Sequence, residues 1–213
     1  GRMALHWLML DQERRVAAEV MNVDSDHWDS TDSNLYTDVS TVWSSTGSAN
    51  VITDIDSAKD KVVDNCGMEP NTMVLSRTNR NYLKNNTAQI SDRYKYVRSM
   101  PDGEFDAWLA DILGFEQVLV GRAVYNSAKK GQAFSKSGVW SNSYVWVGIV
   151  NTSEQIELPS AGRTFTWAGE AEDGELIVEQ YDEDQTNSTV QRVRQYTDEK
   201  TIDPHFAHVM KVD

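Results

Sequence analysis

Two lysines beside a glycine are the first residues in this chain that suggest chemistry. In FEQVLVGRAVYNSAKKGQ, Phe115 to Gln132, the apolar run Val118–Val120 meets Gly121, and Lys129 and Lys130 stand just before Gly131. A strand, a glycine and nearby lysines can cradle phosphate, since backbone N–H groups and ammonium groups both favour an anion. The spacing argues against it. A Walker loop places four residues between its first glycine and a closing Gly-Lys-Ser or Gly-Lys-Thr. Here Gly131 follows Gly121 by ten positions, and the lysines precede it. A strand end leading to a solvated basic loop is the better reading, and there is no dinucleotide fingerprint.

The other reactive side chains are equally quiet. His205 and His208 lie three apart beside Asp203. In a strand that spacing points them to opposite faces, which makes a shared metal awkward. Cys66 falls among aliphatic residues on a helix face and reads as a plain buried cysteine. No Gly-x-Ser-x-Gly elbow occurs. The acidic clusters Asp24, Asp26, Asp29, Asp32 and Asp182, Glu183, Asp184 lack the EF-hand glycine and closing glutamate, so they read as solvated loops. Seven tryptophans could stack sugars, but Trp108, Trp146 and Trp167 fall on inferred core faces. The expectation is therefore no catalytic residue, no cofactor and no metal.

Composition sets the frame for these residues. The 213 residues are 39% hydrophobic and 25% charged, an ordinary globular balance with enough chain for a core. A net charge of −13 opposes wrapping naked DNA. The single cysteine allows no intrachain disulfide and suits a reducing cytoplasm, or a virion assembled there. No run is apolar enough to span a membrane, and Met3–Leu10 lacks a signal-peptide cleavage site. The three Asn-x-Ser/Thr sequons, at Asn85, Asn151 and Asn187, read as chance. The Gly1-Arg2 start suggests that an upstream portion is missing or removed.

The elements follow from periodicity. Residues 3–21 predict one long helix with the stripe Leu5, Leu8, Met9, Val16 and Val20. Residues 22–50 have no helical period, and their spaced aromatics suggest a segment pinned along a surface or a neighbouring subunit. Thr53 and Asp56 resemble a capping box for a helix that buries Ile55, Ala58, Val62, Val63 and Cys66 and stops at Gly67. A strand at Thr72–Leu75 and a helix capped by Ser76 come next. Asp102 then caps a helix that carries Phe105, Trp108, Leu109, Ile112 and Leu113 on one face and ends at Gly114. Strands follow at Gln117–Val120, Ser143–Val150 (apolar on both faces, hence central), Gly162–Ala168 and His205–Val212. Glu175–Tyr181 and Thr189–Thr197 read as a hairpin. This is an α+β chain.

In this order the segments resemble the major capsid proteins of tailed bacteriophages, which have the HK97 fold. LDQERRVAAEVMN is similar to the end of that family's spine helix. WSSTGSANVITDIDSAKDKVVDNCGMEPNTMVLSRTNRNYLKNN, LADILGFEQVLVGRAVYNSAKKGQ and the closing VRQYTDEKTIDPHFAHVMKVD resemble later runs, together covering most of residues 10–213. The resemblance implies a long spine helix, a P-domain sheet and a mixed α/β A-domain. By analogy residues 1–48 are P-domain, 49–174 mainly A-domain and 175–213 return strands of the P-domain. The family's N-terminal arm and E-loop precede the spine helix and have no counterpart here, so no cross-linking lysine is expected.

The implied role is a structural subunit of an icosahedral capsid, assembling into hexamers and pentamers that enclose DNA without sequence-specific binding. Scaffold, portal and decoration proteins are the implied further partners. Lys129, Lys130, Trp28 and Trp43 are the expected subunit contacts. The alternatives are an encapsulin-like compartment shell, a monomeric carbohydrate-binding β-rich domain, and a hydrolase built on Asp182–Asp184.

Overall fold

The computed structural model describes residues 2–24, 27–45, 47–85, 89–90, 101–153, 155, 157–167 and 176–213. Asp26, the Asn86-Thr87 part of the first sequon, Ala168 and Glu175 lie outside them. Among the described residues are four α-helices: α1 (Arg2–Val20), α2 (Val51–Cys66), α3 (Arg77–Asn85) and α4 (Asp102–Leu113). The strands are β1 (Tyr36–Asp38), β2 (Thr72–Ser76), β3 (Gln117–Gly121), β4 (Val124–Asn126), β5 (Lys136–Gly138), β6 (Tyr144–Gly148), β7 (Gly162–Thr166), β8 (Ile177–Glu183), β9 (Ser188–Arg194), β10 (Thr197–Thr201) and β11 (Ala207–Lys211).

The centre is a five-stranded mixed sheet in the order β1-β11-β6-β2-β3. Strand β6 is its middle strand, as an apolar run on both faces requires. Alternation along the strands sorts side chains into two cores. Met73, Leu75, Val145, Val147 and Met210 point to one face and pack with Ile55 and Ala58 of α2, Leu83 of α3 and Phe105, Leu109 and Leu113 of α4. Their neighbours Val74, Trp146, Ala207 and Val209 point to the other face and meet Met21, Trp28, Leu35 and Ala161. Arg80 is buried on the helix side, where it pairs with Asp106 and Asp102 and lies 5.2 Å from the Phe105 ring centre. Gly67 and Gly114 end α2 and α4 in the left-handed conformation, at φ 72° and 68°.

Several expectations need correction. Helix α2 starts at Val51, with Asn50 at the cap and no side-chain cap bond, so Thr53 and Asp56 lie within the helix. The buried Val51 fixes its first turn instead. Met9 leaves the expected stripe of α1 and is 58% exposed, alongside Met3 at 77% and Trp7 at 67%. Ala17, in the second half of α1, is its one buried residue among those described, while Leu5, Leu8, Val16 and Val20 of the stripe are half-buried. Trp167, expected in the core, is 70% exposed. It follows β7, which among the described residues pairs with β10 alone.

The boundaries near residues 48 and 175 do not follow the strand pairing. Strands β1 and β11 fall in the first and last divisions, yet both hydrogen-bond into the central sheet. The β8–β9 hairpin and the β7–β10 ladder stand outside it, alongside α1.

Candidate functional site

Gly121 answers the phosphate-loop question. It ends β3, but β3 leads to the β4–β5 hairpin and not to a helix start. A Cβ on Gly121 would fall 2.2 Å from Trp140 Cγ, so this glycine makes room for an indole. Trp140 then donates from Nε1 to Glu13 Oε1 of α1 at 2.7 Å.

Lys129 and Lys130 lie exposed in the loop between β4 and β5. The loop is braced at its base. Asn126 Oδ1 accepts from the backbone N–H of Ala128 (3.1 Å) and Ser135 (3.0 Å), and the Ser127 N–H donates to the Ser135 carbonyl at 2.8 Å. Gly131 turns the tip at φ 87°. Phe134 is 73% exposed beside the lysines.

The two candidate tryptophans are placed differently. Trp43 is fully buried among helix-side residues and donates to Asp54 Oδ2 at 3.1 Å. Burial raises the Asp54 pKa by more than that bond lowers it. Trp28 is buried on the opposite side, edge-on to Trp146. Both pin segment 22–50 to its own chain and have no surface left for a neighbour, so neither is carried forward as a subunit contact.

The remaining candidates do not converge. His208 is buried, with Nδ1 2.9 Å from the Asn34 carbonyl and Nε2 3.0 Å from Thr37 Oγ1. The carbonyl can only accept, so Nδ1 donates and Nε2 accepts. His205 is exposed and pairs with Asp203. The Cys66 thiol donates to the Val62 carbonyl. Asp24 bonds His27, Asp29 caps Thr31 and Asp32 caps Asn34, which are local loop contacts. Asp182 and Glu183 bond Thr189 and Thr186 on the exposed β8–β9 hairpin. Among the described residues no group of three His, Cys, Asp or Glu could hold a metal. None of their helices is long and apolar enough to cross a membrane.

The feature that sequence reading missed is a groove. It has a volume of about 620 Å³ and lies against the sheet face that the helices leave open. Val74, Trp146 and Leu119 form its floor, Val16 and Val20 of α1 one wall, and β7 with β10 the other. Arg163 shapes the rim by donating to the carbonyls of Ser153, Gln155 and Leu158 at 2.8–2.9 Å. Arg15 Nε donates to Glu199 Oε2 at 2.8 Å and ties α1 to β10. That hydrogen bond, above all, holds the Glu199 carboxyl below the usual glutamate range. At the far end His27 bridges Glu19 and Asp24. Burial disfavours its charge, but the two carboxylates outweigh burial and raise its pKa. The groove assembles from α1, β2, β3, β6, β7 and β10, so no local motif announces it; the exposed Leu119 and Phe165 in otherwise strand-like runs are its only trace.

No protein-family profile matches the chain, and no curated protein matches it in sequence. Among solved structures, a phage-related protein from Bordetella bronchiseptica RB50 superposes with a TM-score of 0.80 at 23% identity. The match covers 99% of this chain and 65% of that one, so this chain spans about two-thirds of its structural neighbour. At that identity the likeness establishes the fold. A protein described as a candidate prophage capsid protein of E. coli CFT073 matches at a TM-score of 0.42 and 11% identity, covering 81% of this chain and 50% of that one. That is too distant to carry an argument.

Proposed function

We propose that this chain is a structural subunit of a bacteriophage icosahedral capsid with the HK97 fold. It assembles into hexamers and pentamers that enclose packaged DNA, and it acts by building surfaces, with no catalytic role. Its place is the virion, after assembly in the host bacterial cytoplasm. The observation that carries this reading is the fold likeness over 99% of the chain to a phage-related protein. The ordered run of capsid-like segments adds to it. On this reading residues 1–48 and the return strands of 175–213 are the P-domain, and residues 49–174 are mainly the A-domain.

The surface suits the role. Copies around a closed axis make heterologous contacts, one patch on each subunit meeting a different patch on the next. The net charge of −13 keeps a DNA-facing wall from gripping phosphate. Lys129 and Lys130 are proposed contacts toward acidic groups of a neighbour, and scaffold, portal and decoration proteins are further partners. The test is negative-stain microscopy and light scattering of the protein expressed from its natural reading frame. Rings or shells are expected; a persistent monomer at high concentration would sink the reading.

One observation favours a second reading. Phe165, Trp167 and Tyr196 are 46%, 70% and 44% exposed, and the Trp167 N–H donates to the Tyr196 carbonyl. Such an aromatic strip could stack sugar rings. Glycans that shift the tryptophan fluorescence of the wild type but not of Trp167→Ala would support it.

A further inference from the structure

Two exposed parts of the chain carry opposite charge. One is the β4–β5 loop. Between Asn126 and Lys136 it holds Lys129, Lys130 and Lys136 and no acid, and every residue from Lys129 to Lys136 is exposed. Among the described residues none of these lysines pairs with a carboxylate. Phe134 stands among them, 73% exposed. The other part is the β8–β9 hairpin. Residues Gln180 to Gln191 hold Asp182, Glu183 and Asp184 and no base, and every residue from Gln180 to Thr189 is exposed. The ion pair of Arg194 with Glu179 lies toward the open end of the hairpin, away from the tip. Asp182 and Glu183 accept from the hydroxyls of Thr189 and Thr186, which leaves their charge in place.

We infer that the acidic tip of the β8–β9 hairpin of one copy docks on the basic β4–β5 loop of a second copy. The inference rests on the subunit reading above and names the acidic groups that it sets against Lys129 and Lys130. Charge complementarity selects the occupant. Three carboxylates with no base among them meet three ammonium groups with no acid among them, whereas loop against loop or tip against tip would set like charges together. The hairpin also needs a partner on its own account. Strands β8 and β9 pair with each other and join no larger sheet among the described residues, and a two-stranded ladder alone is marginal in water. Tyr181, beside Asp182 and 49% exposed, offers Phe134 a ring to pack against. Both parts are braced before they meet, the loop by Asn126 and the tip by Thr186 and Thr189, so little conformational freedom is lost on docking. One patch meets a different patch, so the contact can repeat from copy to copy, as a ring requires.

The test reverses the charge on each side in turn, with assembly followed by light scattering. A loop variant, Lys129→Glu with Lys130→Glu, should weaken self-association roughly a hundred-fold, the effect of like charges placed in contact. A tip variant, Asp182→Lys with Asp184→Lys, should do the same. Mixed in equal amounts, the two variants should assemble again, because each loop then finds a tip of opposite charge only on the other variant. A misfolded variant could not be rescued by mixing, so the mixture separates a lost contact from a lost fold. A loop variant that assembles like wild type overturns the inference and leaves the subunit reading standing. If that variant has also lost binding to a single-stranded oligonucleotide, the occupant of the loop is nucleic acid instead. A mixture that stays unassembled overturns the inference as well. A wild type that never self-associates overturns both readings.

Discussion

The two faces of the central sheet are finished differently. On one, three helices and Trp43 close over Met73, Leu75, Val145 and Val147, and Phe105, Leu109 and Ile55 are fully buried. On the other, a single helix half, a loop and a two-stranded ladder leave the groove open. Each side also holds buried polar atoms without a hydrogen-bond partner among the described residues, and on the closed side that atom is Asn79 Oδ1. Arg80 on the closed side has carboxylates in place. On the open side the buried indole nitrogens of Trp28 and Trp146 have no hydrogen-bond partner among the described residues, at a typical cost of roughly 1–3 kcal/mol each. The closed face holds the fold together, and the open face keeps apolar surface accessible at the groove.

The largest test of that contrast truncates matched leucines across the sheet. Leu109 is fully buried on the closed face and Leu35 is 7% exposed on the open one. Leu109→Ala should fall near the top of the roughly 2–5 kcal/mol range for such changes, because its close-packed surroundings cannot collapse into the hole. Leu35→Ala should fall near the bottom. Urea midpoints decide it, and equal losses would break the contrast.

A smaller effect is expected from adding one methyl group on the open side. A Cβ on Gly148 would stand 2.6 Å from Trp146 Cη2 and 2.7 Å from Ala207 Cβ. Gly148→Ala should therefore cost about 1–3 kcal/mol and change the near-UV circular dichroism as Trp146 moves. Gly138→Ala is the control, since its nearest neighbour, the Trp140 carbonyl oxygen, is at an ordinary 3.5 Å.

The closed face was largely legible in the sequence. The α4 pattern of Phe105, Leu109 and Leu113, the stops at Gly67 and Gly114 and the doubly apolar β6 are local signals that the structure follows, whereas α2 and α4 start earlier than caps at Thr53 and Asp102 would have them, at Val51 and at Asp102 itself. The open face was not legible. Trp167 reads as core from the sequence because strand alternation gives the side of a residue but not whether another layer covers that side. Trp28 and Trp43 read from the sequence as subunit contacts because a segment without periodicity carries no sign of where its aromatics are buried. The groove depends on contacts between residues such as Arg15 and Glu199, which are 184 positions apart, and no window along the chain reveals those.

The subtlest prediction uses two histidines to sharpen the comparison. His208 lies on the same side as Met210, toward the helices, where burial lowers its pKa from the ordinary 6.5. His27 lies at the groove, where Asp24 and Glu19 outweigh burial and raise its pKa above 6.5. The signs then oppose. As pH falls through 6.5 the unfolded chain binds a proton that folded His208 refuses, so stability falls. His27 contributes stability that is fully present below 6.5 and is lost as pH rises through its raised folded value. The expected contribution of His27 is below about 1 kcal/mol, because Asp24 is well exposed to solvent. Urea midpoints between about pH 5 and pH 8 separate the two. The gap between wild type and His27→Gln should close as pH rises, whereas His208→Gln should remove the decline seen in acid. Parallel pH profiles for the two variants would mean that the groove screens His27 from its carboxylates no less than the closed core buries His208, and the electrostatic half of the contrast would fail.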